Sequence, residues 1–322
     1  MSASSIRLLR SIITESDIDL RQWRGSFTIA ESKTGLVTTP KGARMIFNSP
    51  ERVAALTAAW TGERLEDGRP KVSDDIIERM KLVTNDEAWG ILEKAHTNYN
   101  FQFEGEWLQT QPDVPLAGRV VTAQFVPQRQ DLQDMVQGIG ADEGRTGGQN
   151  TWIIDQLLPN DVLVVDLFGK IHDGTFIGDN LSTAARRRTG TGMVIHGGIR
   201  DYARILELTD FPVYCRGVDP TAIAEVTLVG VNIPIRIGNA TAMPGDVVLG
   251  TREGITFVPA HLAEEVVLHS EDTRQRDVFG KDTLDKGKYT SGEIDVPVWA
   301  DHIEADYKAW CAAQGLEYST KH

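Results

Sequence analysis

Asp179 is separated by twenty residues from the adjacent pair Arg200-Asp201. Two carboxylates and one guanidinium are groups that carry charge, and the carboxylates can take up or release a proton at a site. The stretch between them reads turn, helix, turn, strand. Residues 180–188 have helix-compatible composition, 189–192 are a breaker cluster, and 193–196 are a short apolar run closed by Gly197-Gly198. A helix start and a strand end then face one site, with the unpaired N–H groups of the helix N-terminus opening onto it. By residue type alone, Asp179 also reads as a helix N-cap, and Arg200-Asp201 as an exposed turn with a weak ion pair.

The rest of the chain supplies the scaffold. Strand-like runs fall at 117–127, 162–168, 193–196, 213–215, 226–229 and 233–237, with a tighter series at 247–249 and 255–258. Helices are predicted at 51–60, at 74–82 behind Ser73, from Asn85 towards His96, from Ala260 onward and over 298–314. The centre therefore alternates strand and helix, which predicts an α/β fold with a β-rich finish. The expected organisation is an N-terminal arm over 1–72, a catalytic domain over 73–270 and a C-terminal helical extension over 271–322.

Charge and composition exclude several classes. With 322 residues and a formal net charge of −13, the chain lacks the clustered cations that bind a polyanion, and no nucleic-acid partner is expected. The one dense basic run, Arg186-Arg187-Arg188, suits a helix C-terminus. Cys215 and Cys311 stand in unrelated contexts, so neither a disulfide framework nor a Cys-X-X-Cys site is predicted. No apolar run reaches the ~18 residues of a membrane span, and the first ten residues lack a hydrophobic signal core. A soluble, cytoplasmic chain is the expectation.

The 178–201 window resembles the Asp-X20-Arg-Asp signature of class II pyruvate aldolases, typified by 4-hydroxy-4-methyl-2-oxoglutarate/4-carboxy-4-hydroxy-2-oxoadipate aldolase. These enzymes share a fold with the regulator of ribonuclease activity A, RraA. Similar segments are 115–123, Asp161-Val162-Leu163-Val164-Val165-Asp166, and Pro244-Gly245-Asp246 followed by 254–259. The resemblance implies a swivelling β/β/α (RraA-like) sandwich, here with N- and C-terminal extensions, and a homotrimer or homohexamer with sites at subunit interfaces. It implies that the backbone of Gly178, Asp179, Asn180 and Leu181 binds a substrate carboxylate, that Arg200 holds the C2 oxygen of a 2-oxo acid, and that Asp201 ligates Mg²⁺ or Mn²⁺. Asp179 is expected to orient the water that takes the proton.

Carbon–carbon cleavage beside a 2-oxo acid leaves an enolate, which a cation and Arg200 stabilise without a Schiff-base lysine; none lies in the window. Asp86 and Glu87 are candidate outer-sphere metal ligands, although first-turn acids also stabilise helices. Gln149 and Asn150, after Gly147-Gly148, are expected to face substrate from a glycine loop, and His196 to support the site or pack beside it. Arg252-Glu253 departs from the family's acidic pair, leaving Glu253 as the carboxylate there. The alternative function is a non-enzymatic RraA-type regulator, a group that generally lacks the acid after the arginine. A methyltransferase is not predicted, because no glycine-rich nucleotide loop follows a strand with an acid about twenty residues on.

Overall fold

The computed structural model describes residues 46–95, 99 and 102–319. Most of the expected N-terminal arm, 1–45, lies outside the described residues, as do His96 and the last three residues. Three short helices open the described chain, each with a hydroxyl at its start. Ser49, Ser73 and Thr84 accept from the N–H groups of Arg52, Ile76 and Glu87 and begin α1 (Pro50–Leu56), α2 (Asp74–Met80) and α3 (Asn85–Trp89). A π-helical turn, Gly90–Ala95, continues α3.

Two very short strands follow, β1 (Phe103–Gly105) and β2 (Leu108–Gln109), then the long β3 (Leu116–Pro127). Helices α4 (Gln130–Asp142) and α5 (Gln149–Ile154) lead to β4 (Asp161–Asp166), which is buried throughout, as its continuous apolar run requires. Next come α6 (Asp179–Thr189), β5 (Met193–Ile199), α7 (Tyr202–Ile205) and β6 (Val213–Val218). Strands β3, β4, β5 and β6 are parallel neighbours in that order. The remaining strands are antiparallel additions: β7 (Val226–Val231) on β3, the hairpin β8 (Ile235–Ile237) and β9 (Ala240–Ala242), then β10 (Val247–Gly250) and β11 (Gly254–Val258).

Strand order across the main sheet is β1-β11-β10-β3-β4-β5-β6-β2. Only Glu106 and Trp107 separate β1 from β2, yet these two hold opposite edges, so the sheet rolls up on itself. Arg216 of β6 closes the seam by donating to the carbonyls of Gly105 and Glu106, and the Tyr214 hydroxyl donates to Thr251 O at 3.0 Å. The inner face packs Val120, Val164, Val194 and Phe257 against Ile235 and Ile237 of the hairpin. Outside, Ile153, Ala185, Ile195 and Phe211 form one core under the helices, and Met80, Leu92 and Val247 join Val266 in another.

Residues 46–72 pack on this sheet through a buried ion pair. The Arg69 guanidinium, 1% exposed, donates to both oxygens of fully buried Asp161 at 2.8 and 3.0 Å. At the other end of the chain, α8 (Ala263–Asp285), α9 (Ser291–Ile294) and α10 (Asp301–Gln314) gather Phe279, Trp299, Ile303, Tyr307 and Cys311 into a separate aromatic core. No helix among the described residues is long and apolar enough to cross a membrane.

Candidate functional site

Gly178, Arg200 and Asp201 meet, with Asp179 next in the chain, because the loop after β4 returns to lie along the end of β5. Thr175 bridges Gly198, Phe176 N donates to Gly198 O at 2.9 Å, and Arg200 N donates to Ile177 O at 3.0 Å. This ladder delivers Gly178, the N-cap of α6, to the two residues that follow β5. A Cβ on Gly178 would collide with Asp201 Oδ2 and lie 3.0 Å from Arg200 Nε. Both side chains thus lie close against the Gly178 backbone, and a larger residue there would have to displace them.

The Arg200 and Asp201 side chains are 44% and 40% exposed, and Nε lies 3.7 Å from Oδ2. Such a long, wet pair contributes little to stability and leaves both groups available to a ligand. Asp201 has φ 53° and starts α7, a left-handed backbone that Asp tolerates better than most residues.

Asp179 is the first helical residue rather than the cap, and its Oδ1 accepts from Asn180 N at 2.8 Å. The N–H groups of Gly178, Asp179 and Leu181 have no intrahelical acceptor, and they sit at the positive end of the helix dipole. Asn180 is exposed, while Leu181 packs into the outer core and fixes the helix start. At the far end, Arg186, Arg187 and Arg188 occupy the last turn and Gly190 closes it at φ 68°. The basic run is a helix terminus, as its composition suggested.

Other expected site residues are placed elsewhere or engaged internally. Gln149 and Asn150 open α5 behind Gly148 instead of forming a glycine loop. Gln149 accepts from Leu228 N at 2.7 Å and donates to Gln133 Oε1 at 3.1 Å. Asn150 Nδ2 donates to Phe176 O at 2.8 Å, two residues before Gly178, and Oδ1 accepts from Thr151 N. Both side chains are buried and engaged in hydrogen bonds within the chain. Glu87 completes the capping box of α3 and accepts from Ser270 Oγ at 2.7 Å. Asp86 is exposed in an open groove of about 740 Å³, shared with Trp89, Glu93, Phe103 and Glu253 and with none of the residues around Gly178.

His196 lies on the inner face, with Nδ1 3.5 Å from Asp166 Oδ1 and its ring edge-on to Trp107 at 6.4 Å. Its carbonyl accepts from Leu167 N and Gly169 N and so anchors the start of the loop that ends at Gly178. Sequence reasoning missed Asp166 as the partner of His196 and Asn150 as the brace of Phe176. The first has only an aspartate at a strand end to signal it, and the second no local signal, because its partner is 26 residues away.

Among the described residues no three His, Cys, Asp or Glu side chains converge into a metal cage. A single exposed carboxylate instead fits a cation that keeps its waters and completes its octahedron with substrate oxygens, the habit of Mg²⁺ and Mn²⁺. The arrangement brings a helix N-terminus, a guanidinium and one open carboxylate close to one another.

Residues 73–257, more than half of the chain, match the RraA-like family described as Aldolase/RraA. A candidate 4-hydroxy-4-methyl-2-oxoglutarate aldolase of Halalkalibacterium halodurans is 33% identical over 119 residues, 37% of this chain and 55% of that protein. Protein DlpA of Legionella pneumophila is 33% identical over 115 residues, 35% of this chain and 18% of its own length. The chain thus spans about half of the first relative and less than a fifth of the second. Streptomyces coelicolor RraAS2, described as an unusual member of the RNase ES inhibitor RraA protein family, superposes with a TM-score of 0.56 at 26% identity, covering 66% of this chain and 98% of that one. The α/β architecture is that RraA-like fold.

Proposed function

Because this chain belongs to the RraA-like family of Aldolase/RraA proteins, we propose that it is a divalent-metal-dependent carbon–carbon lyase acting on a 2-oxo acid, by retro-aldol cleavage to pyruvate or by oxaloacetate-type decarboxylation. The observation that carries this reading is the approach of Asp201 and Arg200 over Gly178 at the start of α6. Likeness to a candidate aldolase supports it.

Asp201 would hold Mg²⁺ or Mn²⁺. Bound there, the cation supplies positive charge to the oxygen of a developing enolate. The N–H groups of Gly178, Asp179 and Leu181 receive the substrate carboxylate, with Asn180 N already directed to Asp179. Arg200 donates to the C2 oxygen. Asp179 keeps one carboxylate oxygen beyond the bond to Asn180, and this oxygen orients a water that accepts or returns the proton.

We place the sites at subunit interfaces of a homotrimer or homohexamer, where the groove with Asp86 and Glu253 brings carboxylates from a neighbouring copy. Both cysteines are free and buried, which suits a cytoplasmic chain. Proton NMR of pyruvate in deuterated buffer tests the reading. Methyl exchange that requires Mg²⁺, stops with chelator and is lost in Asp201→Asn is expected. No exchange under any condition removes the pyruvate-lyase reading and leaves a regulator, which the likeness to RraAS2 favours; Asp201→Asn would then alter nothing.

A further inference from the structure

A second cavity lies away from this site, between the end of α1, the β9–β10 turn and the start of α8. It has a volume of about 290 Å³, and Leu56, Trp60, Met243 and Pro259 give it a largely apolar wall. Among the described lining residues Asp246 is the acid, and it is only 6% exposed. Its Oδ2 accepts from Met243 N at 2.9 Å; Oδ1 has no partner among the described residues. No Lys or Arg of the described chain pairs with it, in contrast to Asp161, which Arg69 neutralises. A buried carboxylate without a cation is costly, and a ligand that brings one relieves that cost.

We propose that this cavity binds a small organic ammonium compound, its charged nitrogen donating to Asp246 Oδ1 and its apolar body lying among Leu56, Trp60, Met243 and Pro259. The chemistry excludes the other classes. An anion meets the carboxylate, and a hydrated metal ion does not suit a largely apolar wall in which His261 is the one other acid or histidine side chain among the described lining residues. Aromatic and thioether side chains accept an organic cation readily. The volume, at the lower end of the range for ligand sites, admits roughly ten non-hydrogen atoms at about 30 Å³ each. Burial raises the carboxyl well above its ordinary value, to about 8, and an ammonium nitrogen beside it lowers it again.

Titration calorimetry of the full chain with benzylamine, benzyl alcohol and benzoate tests the proposal. Saturable binding of benzylamine in the millimolar range or tighter is expected, with benzyl alcohol and benzoate weaker by about tenfold or more. Asp246→Asn should weaken benzylamine by a similar factor. Ala59→Trp, which places a bulky ring on an exposed part of the lining without touching the carboxyl, should do the same and decides the matter if the first variant does not fold. Benzoate binding as tightly as benzylamine, benzylamine affinity unchanged in either folded variant, or no saturable binding of the amine overturns it.

Discussion

Asp201 occupies a left-handed backbone conformation at φ 53°, and Asn is the residue that shares its tolerance for that region. Asp201→Asn therefore removes the charge while retaining the turn. Metal-dependent methyl exchange should fall by roughly a hundred- to a thousandfold with unchanged circular dichroism. Gly178→Ala makes a complementary test. Its methyl group would displace the Asp201 carboxylate and crowd Arg200, so activity should drop by about a hundredfold with the metal ligand still present. Full activity in this variant would separate the Gly178 approach from catalysis. Asp246 predicts a pH dependence of stability. Its pKa is raised by burial from 3.8 to about 8, so across that window the native state holds a proton that the unfolded chain releases. Stability therefore falls as pH rises from about 4 to about 8 and levels off above. His261 and Tyr99 line the same cavity, so the comparison is with Asp246→Asn, whose melting temperature should gain on the parent between pH 5 and pH 8.5. A constant difference between the two would contradict the assignment.

The elements that hold the site do so through contacts that local sequence patterns do not encode. Hydrophobic runs located β3, β4, β6, β7, β10 and β11 to within a few residues, because strands buried on both faces read as continuous apolar stretches. The cap Ser73 likewise marked α2, and the start of α3 at Asn85 was legible too, although its cap Thr84 was not. Strands β1 and β2, of three and two residues, are too short to show any period, so the closure of the sheet was not legible. Helices α4 and α5 were missed as well, since α5 buries almost its whole surface and shows no alternating polar face. At the site, the spacing of Asp179 and Arg200-Asp201 was legible, whereas the brace from Asn150 to Phe176 was not. Asn150→Ala should leave Phe176 O without its partner, lower stability by about 1–3 kcal/mol in urea unfolding, and loosen the loop before Gly178. Hydrogen exchange of the Ile177 and Gly178 amides should then rise. Unchanged exchange there would mean that pairing with β5 holds the loop by itself.

At the scale of the whole molecule, the apolar cores among the described residues are of two kinds. The cores on the rolled sheet share residues of the same strands, whereas the aromatic core of Phe279, Trp299, Ile303, Tyr307 and Cys311 draws on α8, α10 and the residues between them. Links from α8 to the sheet domain lie in its first half: Arg79 bonds Glu271 at 2.7 and 2.8 Å, Ser270 donates to Glu87, and Arg274 donates to Leu82 O at 3.0 Å. A chain ending at Arg274 keeps all three and removes the second core intact, leaving no half of it exposed on the remainder. It should therefore fold, melt in one transition within a few degrees of the full chain, and retain metal-dependent exchange if the site depends only on the 178–201 ladder. Loss of exchange from a truncated chain that still folds would instead assign the C-terminal helices a part in assembling the active oligomer, because they contribute no side chain to the site around Gly178 within one copy.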